Sequence, residues 1–381
     1  MRHAERPRVL YLATFDPTVS TTGSAVRGKH VLRWFVDRCD VHLVHMREKH
    51  ADGYDRALVE ALASLTAVDY SDIGYFLFSR SLFRQARRVL ETQRIDFIFA
   101  DFEKSGLYAS LLARRFGKPF FYSSHNVEFR RYLDLGRKQP LRLALALPQY
   151  LAERRACGDA LVTFAISESD ARSFRSWVPE ERVSVLAPAF DEEAIHPFYD
   201  EEARDPPVVL MVGNYRNTGN REGAYLLRDR VLPAVLARHP RAVFRFVGKD
   251  FPPDLRHPNV QAAGFVDDLL TEYRRAAVVV APILHGGGIK IKVVEGLAAG
   301  KFLVATPKAL EGIDAAGLEH LAITPIDGFA DRVIEALGWR PGKSTRNWER
   351  ISASFGIRRQ LQGMAAVIEE ALPRHGELNA T

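Results

Sequence analysis

The chain of 381 residues is long enough for two ordinary domains, each with its own core. The sequence contains no long uncharged apolar run and opens without the apolar core of a signal peptide, so neither a transmembrane helix nor secretion is expected. The two cysteines, Cys39 and Cys157, lack a Cys-x-x-Cys spacing and predict reduced thiols in a cytoplasmic protein.

The net charge of +6 is unevenly distributed, since residues 1–190 hold 29 Lys and Arg against 22 Asp and Glu. The aromatic and basic interleaving of a nucleic-acid module is absent, so nucleic acid is not an expected partner. Two interpretations of the basic half stay open: a solvated face beside ordinary core leucines, or a peripheral contact with the inner face of an anionic membrane. Two groups of basic residues support the second interpretation. The first consists of Arg80, Arg84, Arg87 and Arg88. The second borders the apolar stretch 141–151 and consists of Arg130, Arg131, Arg137, Lys138 and Arg142.

Short apolar, β-branched runs alternate with helical patterns along the whole chain. This alternation predicts parallel sheets with helices on both faces. In the first half, strands are predicted at 9–15, 41–46, 95–100, 120–123, 161–166 and 183–186. Helices are predicted there at 24–37, 81–93, 105–116 and 167–177, several of them opening on a serine that suits an N-cap.

A polar segment at 196–207 separates this half from a second one in which the pattern restarts. Strands are predicted at 208–213, 244–248, 260–265, 278–282, 302–305 and 321–324, and an amphipathic helix at 357–372. We therefore expect an α/β protein of two Rossmann-like domains that face a cleft. The expected domains are 1–195 and 205–355, followed by a C-terminal helix in 356–375 that packs back on the first domain.

The most informative segment is a glycine loop between two apolar strands of the second half. A strand at 277–283 leads into Gly286, Gly287 and Gly288, and a helical segment carrying Lys290, Lys292 and Glu295 follows. Backbone N–H groups at such a helix N-terminus attract phosphate. A lysine and a carboxylate three residues apart share one helix face. The segment therefore predicts a sugar-nucleotide site, with pyrophosphate on one side and ribose hydroxyls on the other.

The two lysines of this segment are not equivalent. On a helix, Lys290 and Lys292 point about 200° apart. Both contact the same phosphate only if Lys290 belongs to the loop, so Lys292 is the first candidate for the phosphate contact and Lys290 the second.

A second candidate feature follows the predicted strand at 120–123 in the first half. His125 stands at the carboxyl end of that strand, where open α/β sheets bind ligands. It is a candidate to hydrogen-bond a sugar hydroxyl or to take up a proton. The alternative is a structural histidine bonded to a backbone carbonyl. Glu128 is either a site residue or a carboxylate at a helix start.

Several motifs of the second half occur in a fixed order over residues 208–312. They are Val212-Gly213-Asn214, Asn220-Arg221-Glu222-Gly223, Val231-Leu232-Pro233, Phe246-Val247-Gly248, Ala263-Gly264-Phe265-Val266, the run from Gly288 to Gly300, and Glu311-Gly312. In this order and spacing the segment resembles the donor domain of GT-B glycosyltransferases, especially the retaining family 4. The sequence around His125 resembles the same family, and so does the Ser167-Glu168-Ser169-Asp170 segment. We interpret that segment as a helix cap.

The resemblance implies a glycosyltransferase that moves a sugar from a nucleoside diphosphate to a hydroxyl acceptor, with retention and without a bound metal or other cofactor. It implies that Glu295 accepts ribose hydroxyls and that Lys292 meets the pyrophosphate. With His125, these residues are the expected catalytic group. The remaining expected donor-binding residues are Gly23, Gly213, Arg216, Gly287, Gly288, Ile289 and Lys290. Arg221 is a further available cation, and Ser24 is expected to cap the helix after the first strand.

The sequence departs from the family pattern at one position. Many relatives carry a second glutamate eight residues before the one at Glu295, and here that position is Gly287. Two other functions therefore stay open: a GT-B nucleotide-sugar epimerase, and a catalytically silent homologue that only binds sugar nucleotides. The base and sugar of the donor, and the acceptor, follow no pattern in these residues.

Overall fold

The computed structural model describes residues 6–19, 23–47, 54–69, 78–102, 104–136, 143–198, 205–266, 268–286, 288–339 and 344–372. The chain divides into two compact units. The first consists of Met1–Ala187 with Gln360–Thr381, and the second of Pro188–Arg359. Among the described residues, no helix is long and apolar enough to cross a membrane.

The first unit is built on a parallel sheet of seven strands in the order β3-β2-β1-β4-β5-β6-β7. Its strands are β1 (Arg8–Ala13), β2 (Asp40–Arg47), β3 (Ser64–Asp69), β4 (Phe97–Asp101), β5 (Phe120–Ser123), β6 (Val162–Ala165) and β7 (Val183–Val185). Its helices up to residue 175 are α1 (Gly23–Arg38), α2 (Arg56–Glu60), α3 (Arg80–Thr92), α4 (Ser105–Phe116), α5 (Glu128–Gly136), α6 (Ala146–Asp159) and α7 (Glu168–Arg175).

Apolar clusters cover both faces of this sheet. Leu10 and Leu12 pack into one cluster, whereas Val9 and Tyr11 pack into the other. This alternation follows from the two-residue period of a strand that is buried on both sides. The second cluster also includes Met364 and Ile368 of the C-terminal helix α14 (Ile357–Ala371).

The second unit contains a parallel sheet of six strands in the order β10-β9-β8-β11-β12-β13. Its strands are β8 (Val208–Val212), β9 (Val243–Val247), β10 (Val260–Gly264), β11 (Val278–Ala281), β12 (Phe302–Ala305) and β13 (Leu321–Ile323). Its helices are α8 (Thr218–Leu226), α9 (Leu232–Arg238), α10 (Leu269–Arg275), α11 (Ile291–Ala298), α12 (Phe329–Gly338) and α13 (Arg346–Phe355). Each unit is thus a Rossmann-like domain, as the sequence predicts.

Several local predictions are wrong. Strand β3 is absent from the sequence prediction because only Val68 of its six residues is buried, so its apolar signal is weak. Helix α1 begins at Gly23, so Ser24 lies inside its first turn and is not the cap. The serine cap at Ser167 is confirmed, because its side chain accepts a hydrogen bond from the first turn of α7. The predicted starts at Ser81 and Ser105 are not caps, since Ser79 caps α3 and Lys104 occupies the N-cap position of α4.

Candidate functional site

The strand order of the second unit places a crevice at the carboxyl ends of β8 and β11. These two strands are neighbours, and the chain continues from β8 to β9 on one side and from β11 to β12 on the other. Ligands of open α/β sheets bind at such a switch point. The loop that begins at Gly213 and the loop from Pro282 to Lys290 both leave the sheet there.

Helix α8 lies directly against the loop after β11. A Cβ atom at Gly219 would lie 2.8 Å from the carbonyl oxygen of His285, and one at Gly223 would lie 2.8 Å from that of Pro282. Because Gly219 and Gly223 are four residues apart, they share the helix face that touches the loop. Only glycine permits this backbone approach, which brings the residues of α8 beside those of α11.

Asn220 links the two loops through its side-chain amide. Its Nδ2 donates a 2.8 Å hydrogen bond to the carbonyl oxygen of Asn214, in the loop after β8. Its Oδ1 accepts a hydrogen bond from Nζ of Lys292, in the first turn of α11. The amide therefore fixes the position of the Lys292 ammonium relative to the loop after β8.

Lys292 is a buried cation without a carboxylate partner. Lys292 is 7% exposed, and no Asp or Glu among the described residues forms an ion pair with it. Burial, together with the nearby charge of Lys290, lowers the pKa of Lys292 to about 7. A bound diphosphate would supply the missing negative charge and favour the ammonium form.

Glu295, one turn farther along α11, has a different partner. The hydroxyl of Tyr273, on α10, donates a 2.8 Å hydrogen bond to its Oε2. Burial raises the pKa of Glu295 to about 7, and the hydrogen bond from Tyr273 opposes that rise. Glu295 is half-buried, whereas Tyr273 is fully buried. Although Lys292 and Glu295 are both on α11, each is held by a side chain of another helix.

The loop between β11 and α11 contains the remaining glycine-loop residues. Lys290 is the N-cap of α11, with φ −93° and ψ 98°, so it belongs to the loop and not to the helix. Its Nζ donates to the carbonyl oxygen of Gly288, which has φ +73°. Ile289 is half-buried. Gly287, where relatives keep a glutamate, lies outside the described residues.

The loop after β8 contains Gly213 and Arg216. Gly213 approaches Gly248 so closely that a Cβ atom at Gly248, which has φ +132°, would lie 1.8 Å from the Gly213 carbonyl oxygen. Arg216 is exposed, and its Nε lies 4.0 Å from Oδ2 of Asp250. Arg221 is exposed on α8. Gly213 is therefore held inside the site, while both arginines are at the surface of the second unit.

In the first unit, His125 is 1% exposed and lies between the rings of Phe15 and Phe102. Its Nε2 lies 2.9 Å from Oδ1 of Asp101, the last residue of β4. Tyr11 donates a 2.6 Å hydrogen bond to the other oxygen of that carboxylate. Burial lowers the pKa of His125, so the ring is neutral near pH 7, with Nε2–H donated to Asp101.

The structure therefore gives Nε2 of His125 a carboxylate partner, while Nδ1 has no hydrogen-bond partner among the described residues. The contact of His125 with a sugar hydroxyl stays a prediction. Gly23 is the first residue of α1 in the same unit. Glu128 is the first residue of α5, and its Oε2 accepts a 2.8 Å hydrogen bond from Arg131. This placement agrees with a carboxylate at a helix start.

Sequence reasoning missed Asn220, Tyr273 and Asp101 as partners of the predicted residues. Asn220 occurs in a quoted motif but carries no charge that would single it out. Tyr273 lies in the last turn of an ordinary helix and Asp101 ends an ordinary strand, and their partners are 22 and 24 residues away in the chain. Only the packing of the elements brings these pairs together.

Among the described residues, no group of three His, Cys, Asp or Glu side chains is placed to hold a metal ion. That the reaction needs no bound metal stays a prediction.

Two protein-family models match this chain. Residues 21–194 match glycosyltransferase family 4, and residues 206–338 match the glycosyl transferases group 1. The chain belongs to the family 4-like GT-B glycosyltransferases. The two matches fall on the two Rossmann-like domains, one in each.

Solved structures show the same fold over nearly the whole chain. HepE from Anabaena, crystallised with UDP and glucose, is 16% identical, with a TM-score of 0.68, and the match covers 96% of this chain and 100% of that one. Sucrose-phosphate synthase from Thermosynechococcus elongatus is 16% identical, with a TM-score of 0.73, covering 96% and 99%. A putative UDP-N-acetylglucosamine 2-epimerase from Listeria monocytogenes is 11% identical, with a TM-score of 0.57, covering 96% and 98%. The comparison with curated proteins finds no match.

Proposed function

We propose that this glycosyltransferase binds a nucleoside-diphosphate sugar in its second unit and transfers the sugar to a hydroxyl acceptor with retention. The observation that carries the proposal is the buried Lys292, which has no carboxylate partner in the described chain and lies in the first turn of a helix at the switch point. A diphosphate is the anion that such a site suits, because it has charge for the ammonium and oxygens for the backbone N–H groups.

In this proposal Glu295 accepts the ribose hydroxyls and Lys292 contacts the pyrophosphate. Charge develops on the diphosphate as the bond to the sugar breaks, so the Lys292 contact strengthens toward the transition state. Retention follows if the leaving phosphate oxygen takes the proton of the incoming hydroxyl on the same face of the sugar. This route requires no protein nucleophile, and positioning supplies most of the rate enhancement.

Isothermal titration with UDP, UMP and UDP-glucose tests donor binding. UDP is the first choice because HepE, a protein of the same fold, was crystallised with it. We expect UDP to bind more tightly than UMP, and Lys292→Ala to reduce the affinity for UDP much more than that for UMP. Equal affinities for the two nucleotides in the parent protein would contradict a diphosphate site.

Transfer and its stereochemistry need a separate experiment. Incubation with UDP-glucose and a panel of hydroxyl acceptors, followed by NMR of the anomeric proton, reports the configuration of the product. An α-linked product from the α-linked donor supports retention, and a β-linked product contradicts it.

The second candidate function is a nucleotide-sugar epimerase, favoured by the likeness to the putative epimerase of Listeria monocytogenes. Incubation with UDP-N-acetylglucosamine without any acceptor distinguishes the two chemistries. Epimerised nucleotide sugar in that mixture would replace the transfer proposal. A silent homologue would bind nucleotide yet turn over no donor, with the same result in the parent, His125→Ala and Glu295→Ala proteins.

A further inference from the structure

The outer face of α6 in the first unit exposes large apolar side chains. Leu147 and Leu151 are 65% and 57% exposed, and because they are four residues apart they lie on the same side of the helix. Leu143, just before the helix, is 50% exposed. These three residues are called here the leucine face. Exposed apolar groups that share one helix face make this surface a candidate for a contact with a partner.

The opposite side of α6 is committed to the core of the unit. Ala156 and Cys157 are buried in the apolar cluster on one face of the sheet. Glu153 is fully buried, and its carboxylate accepts hydrogen bonds of 2.8 and 3.0 Å from the backbone N–H groups of Glu128 and Phe129. This contact caps the start of α5 from α6. The helix therefore cannot rotate to bury its leucines.

The surroundings of the leucine face are basic. Arg154 is exposed three residues after Leu151, and Arg130 is exposed on α5, which packs against α6. Residues 130–155 include seven Arg or Lys residues against two acidic residues, Asp134 and Glu153. Glu153 is buried and therefore adds no surface charge. Three of the seven, Arg137, Lys138 and Arg142, lie outside the described residues.

Helix α3, the other basic segment of the sequence, has a different surface. Its buried residues, Leu82, Ala86 and Leu90, face the core, and no large apolar side chain is exposed along Arg80–Thr92. Arg84 and Arg88 are exposed there, and Arg87 pairs with Glu91 at 2.7 Å. This helix is a solvated basic face, which makes it a matched control for charge without exposed leucines.

We propose that the leucine face docks on an anionic lipid bilayer, with the leucines inserted at the boundary of headgroups and acyl chains and the arginines among the headgroups. Apolar side chains next to basic ones suit that interface, because arginine extends its charge toward phosphate while its stem stays in apolar surroundings. Three leucines are a small part of the roughly 800 Å² per partner that a stable protein interface buries, so a second copy of the chain is a poorer fit.

Vesicle flotation tests the charge and apolar requirements together. The probes are vesicles of phosphatidylcholine alone and vesicles with 30% phosphatidylglycerol, each at low and high salt. We expect the parent protein to float with the anionic vesicles at low salt and to be released at high salt, because salt screens exposed charges. The double variant Leu147→Ser, Leu151→Ser should lose at least tenfold in vesicle affinity, while Arg84→Gln, Arg88→Gln keeps most of it.

A fluorescence experiment tests insertion at the leucine face itself. The two native cysteines are buried, so an exposed Leu147→Cys can be labelled selectively with an environment-sensitive dye. We expect its emission to shift to the blue when anionic vesicles are added. Leu65→Cys is the control, because Leu65 is 42% exposed on β3 of the same unit and is not part of the leucine face.

The proposal is independent of the sugar-transfer chemistry, because both experiments measure binding alone. Unchanged flotation of the double serine variant, or equal binding to vesicles of both compositions, would overturn it. Loss of self-association in the double serine variant, with no vesicle binding by the parent, would assign the leucine face to a second copy instead. Circular dichroism and thermal melting of every variant separate loss of docking from loss of folding.

Discussion

The hydroxyl of Tyr273 donates a 2.8 Å hydrogen bond to Oε2 of Glu295, joining α10 to α11. Tyr273 is fully buried, so its hydroxyl has a fixed direction. The hydrogen bond stabilises the ionised form of Glu295 against the effect of burial. If Glu295 contacts the donor as proposed, Tyr273 acts through Glu295 as a positioning residue.

Tyr273→Phe is expected to weaken UDP-glucose binding by about 1–2 kcal/mol, because it removes a hydrogen bond to a charged group. The loss should appear in KM more than in kcat, and it should grow at lower pH because the pKa of Glu295 rises without the bond. Tyr225→Phe is the matched control, since it removes a hydrogen bond to Asp254 at the surface of the same unit. Equal affinities of the two variants would show that Tyr273 has only a packing role.

Proton exchange on donor binding should change sign with pH. At pH 8 most Lys292 is neutral in the free protein, since its pKa is about 7, so binding the diphosphate takes up close to one proton. At pH 6 most Glu295 is protonated, since its pKa is also about 7, so engaging the ribose as a carboxylate releases close to one proton. Calorimetry of UDP-glucose binding in buffers of different ionisation enthalpy measures both quantities.

Variants of Lys292 and Glu295 identify the residue that causes each direction of this proton exchange. Lys292→Met should abolish uptake at pH 8, and Glu295→Gln should abolish release at pH 6. UDP-glucose is preferred to UDP because its diphosphate has no terminal phosphate to titrate near neutral pH. Proton uptake at pH 6 in the parent protein would contradict the assigned pKa values.

Removing the Lys292 charge should stabilise the free protein. Burial lowers the pKa of Lys292, so the unfolded chain binds its proton more tightly, and stability falls as the pH decreases from about 10.5 to about 7. At pH 7, Lys292→Met should therefore raise the free energy of unfolding by about 1–3 kcal/mol while the affinity for the donor falls. Thermal melting with and without UDP measures both effects. A less stable variant would show that the Lys292–Asn220 contact outweighs the cost of burying the charge.

Asn220→Asp should also stabilise the free protein and weaken donor binding, but by adding a negative charge at the same contact. A carboxylate next to Nζ of Lys292 supplies the charge partner that the described chain lacks, so the pKa of Lys292 rises and the free protein becomes more stable. The same carboxylate repels the diphosphate, and we expect UDP affinity to fall by tenfold or more. Titration calorimetry and melting together check this pair of effects, with Asn217→Asp, at the N-cap of the same helix, as the control.

His125→Ala tests whether the His125–Asp101 pair acts in catalysis or only in folding. It leaves the Asp101 carboxylate buried with one partner fewer, and the loss of a hydrogen bond to a charged group costs about 1.5–3 kcal/mol of stability. UDP affinity, a property of the second unit, should change little. At a temperature where the variant stays folded, kcat within twofold of the parent value would remove His125 from the catalytic residues.

The sequence by itself determined the alternation of strands and helices, the two Rossmann-like domains and the segment that contains the proposed donor site. These features follow from local patterns: buried parallel strands are short apolar runs, and a glycine loop before a helix has few other interpretations. Strand β3 was not predicted, because an edge strand with one buried residue has almost no such pattern. The sequence did not decide whether Lys290 lies in the loop or in helix α11, because the N-cap position depends on the backbone conformation of one residue.

Only the tertiary structure decided the partners of the site residues. Lys292 and Glu295 share a helix, yet one is held by Asn220 of α8 and the other by Tyr273 of α10. For His125 the sequence predicts a contact with sugar, and the structure adds Asp101, at the end of a neighbouring strand, as the partner of its Nε2. Burial and hydrogen-bond partners set the charge of each group, and both depend on residues that lie far apart in the chain and meet only when the sheet and its helices pack.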